Sequence, residues 1–152
     1  MKPKFFVMVG VAGSGKSTYA KRLSKEENAV IHSSDAIREE LNGSRQILDN
    51  DKEVFKIFKE RILEDLTNNK NVICDMTNIS VKRRASWLNL VKNVDCERIA
   101  VYIDKDLETC LKQNKERPSE HFVPEYVVGN MKKWITTPTT EEGFDKIIVI
   151  KK

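Results

Sequence analysis

The chain has 152 residues, 39% hydrophobic and 33% charged, and its 27 Lys and Arg exceed its 23 Asp and Glu by a net +4. A chain of this size buries roughly 68–70% of its unfolded surface, enough for one complete core, and the composition excludes a disordered chain, a collagen-like repeat and a disulfide miniprotein. The mild positive excess permits a polyanionic partner without demonstrating one. A single domain over residues 1–152 is expected, with any second activity supplied by another polypeptide.

Residues 4–9, KFFVMV, form a short apolar run ended by glycine, as expected of a strand buried on both faces of a parallel sheet. After the glycine-rich segment GVAGSGKS, the run TYAKRLSKEE predicts a helix. NAVIHS predicts a second strand, and SDAIREELNG a short helix with Ser34 or Asp35 at its start and Gly43 after its end. Residues 43–50 read as a polar loop. From Asp51 to Asn68, Phe55, Phe58, Ile62 and Leu66 recur at spacings of three and four, which marks the core face of an amphipathic helix.

NVICD is a third buried strand, followed by a helix over NISVKRRASWLNLVKN with Trp87, Leu88 and Val91 inward. RIAVYID is a fourth strand, KDLETCLKQNKER and VPEYVVGNMKKWI are helices, and DKIIVIK closes as a fifth strand. On the helix after residue 123, Tyr126 and Trp134 could stack on bases, but they sit at helical spacing and read as core. Strands alternating with helices imply a three-layer α/β/α sandwich on a five-stranded parallel sheet with right-handed crossovers.

Cys74, Cys96 and Cys110 are an odd number at spacings that fit neither a disulfide framework nor a zinc pattern. His32 and His121 stand apart without metal-ligand spacing. Lys2 and Lys4 before an apolar run imitate a secretory signal, but that run leads straight into GSGKST, which has a better explanation as a phosphate loop. No apolar run reaches the roughly 18 residues of a spanning helix. A soluble, cytoplasmic protein without membrane contact is expected.

Gly10-Val11-Ala12-Gly13-Ser14-Gly15-Lys16-Ser17 satisfies G-x-x-x-x-G-K-[ST] between a strand and a helix, the context that pattern needs. Gly10, Gly13 and Gly15 let the backbone curl so that N–H groups, including that of Ser14, aim at phosphate oxygens, and the helix N-terminus adds partial positive charge. Lys16 then neutralises the β and γ phosphates of ATP, the Ser17 hydroxyl takes a Mg²⁺ position, and Thr18 adds a hydroxyl near the α phosphate. The dinucleotide fingerprint fails, because the glycine spacing here is G-x-x-G-x-G. A carboxylate at a strand end would assist the metal: Asp75 and Asp104 both fit, and the strand neighbouring the phosphate loop makes Asp75 the preferred one.

Asp35 and Arg38 lie three apart on the first turn of one helix and so face the same way. A carboxylate there can take a proton from an attacking hydroxyl, and a guanidinium one turn later can hold an anionic group of the acceptor. Spacing alone serves equally well an N-cap and its solvated partner.

GVAGSGKST, SSDAIR, DMTNISVKRRASW, QNKERP and the tail FVPEYVVGNMKKWITTPTTEEGFDKIIVI occur in an order that resembles the kinase domain of 5′-polynucleotide kinases, over nearly the whole chain. The resemblance implies a P-loop kinase fold with a helical lid over about residues 112–124. It implies ATP and Mg²⁺ as cofactors, and transfer of the γ-phosphoryl group to a 5′-hydroxyl end of DNA or RNA. By matching position it makes Asp35 the general base, Arg38 the grip on the phosphate 3′ to the reacting nucleoside and Arg117 the lid arginine on the nucleotide phosphates. Thr77 and Asn78 are placed near the acceptor or the metal. Two departures stand out. Met76 occupies a position often polar in relatives, and the D-x-D-x-T phosphatase motif is missing, since the Thr of DKDLET falls one position late. Phosphatase activity is therefore not expected, and a separate phosphatase or ligase partner is.

Lys82, Arg83 and Arg84 form the densest basic run, with Lys132 and Lys133 a smaller one. The run follows a motif expected near the acceptor, so Arg83 and Arg84 are candidate contacts to a phosphate backbone. Three readings remain: a polynucleotide 5′-hydroxyl kinase, a kinase of a nucleoside, sugar acid or antibiotic that would not need that basic surface, and an ATP-binding module without phosphotransfer.

Overall fold

The computed structural model describes residues 2–45, 49–118 and 123–151. Of the expected polar loop, residues 46–48 lie outside the described residues, as do residues 119–122 of the expected lid, His121 among them.

Five strands, β1 (Lys4–Val9), β2 (Ala29–His32), β3 (Asn71–Cys74), β4 (Glu97–Ile103) and β5 (Lys146–Ile150), pair in parallel in the order β2-β3-β1-β4-β5. The sequence expectation of an α/β fold on a five-stranded parallel sheet is met. β1 is central, and Phe5 through Val9 are all buried because helices cover both faces. Its alternation sorts the core. Phe5, Val7 and Val9 join Val54, Phe58, Ile62, Leu66, Trp87 and Val91, while Phe6 and Met8 join Ala20 and Leu23 on the other face.

One face thus carries α3 (Asp51–Thr67) and α4 (Val81–Leu90), and the other carries α1 (Lys16–Glu27). The α3 stripe packs as its spacing predicts, with Phe58 5.0 Å from Trp87 between ring centroids. Phe55 is the exception: it is half-buried at the rim, with two guanidiniums over its ring.

The remaining helices are α2 (Ser34–Asn42), α5 (Leu107–Lys115) and α6 (Glu125–Trp134). The cap of α2 corrects the sequence expectation. Ser33, not Ser34 or Asp35, accepts from the Ala36 N–H at 3.0 Å, which releases the Asp35 side chain from capping. The helix after β3 starts at Val81 rather than Asn78, because Asn78 sits at φ +46° and Ser80 supplies the cap.

Tyr126 and Trp134 are also corrected, since they are 73% and 62% exposed rather than core. The buried side of α6 is set by Val128, and Tyr126, two residues away, points to the opposite side of the helix. A third apolar cluster joins Val11 and Ala12 of the glycine-rich loop to Cys110 and Val128, so α5 and α6 brace that loop.

No helix among the described residues is long and apolar enough to cross a membrane. The reversal of strand order at β1 opens a crevice beyond the carboxyl ends of β1 and β3, the place where open parallel sheets bind ligands.

Candidate functional site

The loop after β1 fills one wall of this crevice. Gly13 and Gly15 adopt φ +81° and +89°, and a Cβ on Gly13 would sit 2.2 Å from the Cys110 carbonyl oxygen. Gly13 is therefore required twice, by its left-handed backbone and by the close approach of α5. The Gly10 N–H donates to the Thr77 carbonyl at 2.9 Å, tying the loop to the segment after β3.

At the start of α1 there is no side-chain cap and no acidic residue in the first turn. The orphan N–H groups of that turn, with their partial positive charge, face the crevice uncompensated. Among the described residues, the buried Ser14 hydroxyl and Gln113 Oε1 have no hydrogen-bond partner. The Ser14 hydroxyl and the orphan N–H groups of an uncapped helix start are donors that fit a phosphate chain, whereas the Gln113 oxygen is an acceptor.

Lys16 Nζ forms an ion pair with Asp75 Oδ1, and the Ser17 hydroxyl donates to Asp75 Oδ2 at 3.0 Å. Asp75 is held at the end of β3 by its own N–H, which donates to the His32 carbonyl at 2.9 Å. Asp104 contacts Lys132, at 3.5 Å, and the Tyr102 hydroxyl, and so belongs with α6. Ser17 and Asp75 are hard oxygen donors of the kind that suits Mg²⁺. Thr18, the next residue, lies exposed on α1.

Across from this wall, Arg38 donates from Nε and Nη2 to both oxygens of Asp51 at 2.8 Å each, and from Nη1 to Asp35 at 2.7 Å. The Asp51 hydrogen bonds hold the Arg38 pKa above its ordinary value, and the same fork holds the Asp51 carboxyl below its own. Arg45 Nη1 reaches within 4.0 Å of Asp35 Oδ2 while its Nε donates to Glu39 at 2.9 Å. Asp35 therefore stands half-exposed between two guanidiniums.

Arg117 is half-buried, and burial first, then the Arg45 charge, pushes its pKa down, while Asp35 and Asp75 act in the opposite sense. The same residue thus feels a carboxylate from each wall. Asp51, Arg45 and Phe55 were missed as site residues by sequence reasoning. Asp51 is 13 positions from Arg38 on another helix, and no spacing rule links them.

Three expectations change. Arg84 is fully buried and does not belong to a basic surface: its guanidinium donates to Glu142 at 2.8 Å, to the carbonyls of Asn78 and Thr136, and to the Thr136 hydroxyl. The 100° helical step sends it inward while Lys82 and Arg83 stay exposed. Asn78 is also buried, its amide donating to the Met8 carbonyl at 2.8 Å and accepting from Trp87 Nε1 at 2.7 Å, so it pins the loop instead of facing an acceptor. Thr77 serves the site through its carbonyl on Gly10. Lys132 is taken up by Asp104 and the Lys105 carbonyl.

The described end of the lid segment is fixed to α5. Buried Asn114 accepts from the Val123 N–H at 3.1 Å and donates to its carbonyl. Nothing in the sequence pattern singled out that residue.

Comparison with known proteins gives the same architecture with diverse acceptors. The chain is 30% identical over 145 residues to the L-seryl-tRNA(Sec) kinase of Methanococcus maripaludis, covering 91% of this chain and 55% of that protein. It is 32% identical over 117 residues to the shikimate kinase of Dehalococcoides mccartyi, covering 73% of this chain and 64% of the relative. It is 25% identical over 144 residues to the bifunctional polynucleotide phosphatase/kinase of Schizosaccharomyces pombe, covering 93% of this chain and 32% of the relative.

Among solved structures, the Pnkp1/Rnl/Hen1 RNA repair complex superposes with a TM-score of 0.81 at 25% identity, over 95% of this chain and 47% of the other. This chain spans less than two thirds of the length of each of these proteins. Residues 5–138 match the AAA domain family AAA_33. With its phosphate loop, parallel sheet and paired walls, the chain belongs to that family and has the P-loop kinase fold.

Proposed function

We propose that this chain is a single-domain, ATP-dependent kinase that transfers the γ-phosphoryl group to the 5′-hydroxyl end of DNA or RNA. The observation that carries this reading is Asp35. Freed from capping by Ser33 and held between Arg38 and Arg45, it lies on the wall opposite Lys16 and Asp75, with Arg117 sensing both.

In this reading Gly10, Gly13, Ser14, Gly15, Lys16, Ser17 and Thr18 bind the donor. Ser17 and Asp75 would hold Mg²⁺, which when bound neutralises charge on the phosphates. Asp35 accepts the proton of the attacking hydroxyl, whose oxygen bonds the γ phosphorus as the bond to the bridging β–γ oxygen breaks and ADP leaves. Lys16 and Arg117 stabilise charge on the transferring group. Arg38 and Arg83 hold acceptor phosphates. Arg84 keeps the segment after β3 in place from within.

The polynucleotide kinase among the relatives supports this acceptor. The match to shikimate kinase favours a second reading, a small-molecule acceptor. The rim of Arg38, Arg45, Arg83 and Arg117 favours an acceptor that carries phosphate. A phosphatase or ligase is proposed to work with this kinase, since relatives join the kinase to one or the other. A cytoplasmic setting is proposed, in keeping with three buried, unpaired thiols.

The test is incubation with γ-labelled ATP and Mg²⁺ and with 5′-hydroxyl DNA, 5′-hydroxyl RNA, nucleoside 3′-monophosphates or small alcohols. Label on the oligonucleotides is expected. ATP binding with label only on a small alcohol would move the reading to the second one, and binding with no transfer to any acceptor would leave a nucleotide-binding module.

A further inference from the structure

Arg38 and Arg83 come from different elements, α2 and the first turn of α4, yet both guanidiniums lie over the Phe55 ring, at 5.8 Å and 5.7 Å from its centroid. They are thus neighbours on one side of the crevice. Their commitments differ. A guanidinium has five N–H donors, and Arg38 has placed three of them on Asp51 and Asp35. Two remain for a ligand. Arg83 is exposed, and among the described residues its guanidinium has neither a carboxylate nor a hydrogen-bond acceptor.

The contact with the Phe55 ring, 5.7 Å from its centroid, tethers the Arg83 guanidinium without using any N–H, so the whole planar fork is left for a phosphate. No internal ion pair must be broken when an anion arrives. Arg84 next to it is buried and Lys82 has no aromatic platform, so the basic run contributes one tethered cation instead of a diffuse patch.

We infer that Arg83, aligned beside Arg38 across Phe55, reads a second phosphate of the acceptor strand and so makes the site prefer an acceptor with at least two phosphates over a nucleoside monophosphate. This rests on the 5′-hydroxyl kinase reading above. Arg38 takes the phosphate nearest the reacting nucleoside and Arg83 the next.

The experiment measures kcat and KM of the wild-type protein, Arg83→Ala, Arg83→Lys and Phe55→Leu on three acceptors. These are a nucleoside 3′-monophosphate, a 5′-hydroxyl dinucleotide 3′-phosphate and a hexanucleotide. For the wild type, kcat/KM is expected to rise about tenfold from the first acceptor to the second, the worth of one charge-assisted contact, and to change little beyond it. Arg83→Ala should reduce that rise to about twofold, chiefly through KM. Arg83→Lys should keep an intermediate rise, as a point charge without the fork. Phe55→Leu should fall between Arg83→Lys and Arg83→Ala.

An Arg83→Ala protein that keeps the wild-type ratio, or one that loses the same factor on all three acceptors, overturns the inference and leaves the kinase reading intact. A wild-type protein that phosphorylates none of the three overturns both.

Discussion

On the donor wall, positive potential comes from backbone: the uncapped first turn of α1, the left-handed glycines and one lysine. On the acceptor wall it comes from side chains, with Arg38, Arg45 and Arg83 drawn from two helices and a loop. The donor wall is contiguous in sequence and rigid, because α5 packs onto Gly13 and the loop is tied to Thr77. On the acceptor wall Arg38 and Arg83 are set by partners on another helix, Asp51 and Phe55. A backbone cradle binds any nucleoside triphosphate in the same way. A wall made of side chains can be rebuilt residue by residue, in keeping with similar proteins whose names give different acceptors.

If the two walls work independently, Asp35→Asn should lower kcat by about 10²- to 10⁴-fold, the worth of a general base, while ATP affinity by calorimetry stays at the wild-type level. Parallel loss of ATP affinity would merge the two walls into one unit.

Next in size is Arg84→Met. Removing one partner of a buried pair should cost about 3–5 kcal/mol in denaturant unfolding, because Glu142, 9% exposed, is left without its cation. Adding Glu142→Leu should restore much of that loss. A neutral Arg84→Met would return Arg84 to the surface run.

The rigidity of the donor wall is probed by Gly13→Ala against Gly15→Ala. Both positions carry the left-handed penalty of about 1–2 kcal/mol. Only Gly13 adds overpacking, about 1–3 kcal/mol more, since its Cβ would meet the Cys110 carbonyl whereas that of Gly15 has only Gln113 Oε1 at 4.0 Å. Equal losses in thermal stability would show that the loop is not braced by α5.

The smallest effect concerns Asp51. Its folded carboxyl titrates below the ordinary 3.8 because of the Arg38 hydrogen bonds. The stabilisation is therefore complete above that ordinary value and is lost as pH falls through the lower, folded one. Asp51→Asn should flatten the urea midpoint of unfolding in that acidic window and leave its shape above pH 5 unchanged. An unaltered acid limb would mean the fork adds nothing to stability.

Periodicity made most of the fold legible. The buried run of β1 and the stripe Phe58, Ile62, Leu66 on α3 were set by local pattern, because a strand buried on both faces and a one-sided helix have distinct repeats. Tyr126 and Trp134 defeated the same rule. Helical spacing says that residues share a face but not which face turns inward, and Val128 decided that for α6. The cap of α2 was misplaced by one residue, since Ser33, Ser34 and Asp35 are all competent and only backbone geometry chooses among them.

By itself, the sequence determined the donor wall, because GVAGSGKS is contiguous and its glycines, lysine and serine act through local backbone conformation. It also marked Asp35 and Arg38 through their shared helical face. Only the tertiary structure joined Asp51 to Arg38, turned Arg84 inward and set Arg83 on Phe55. These pairings bridge residues far apart in the chain. The fate of a charged side chain, to be buried with a partner or left free for a ligand, depends on what the fold places beside it.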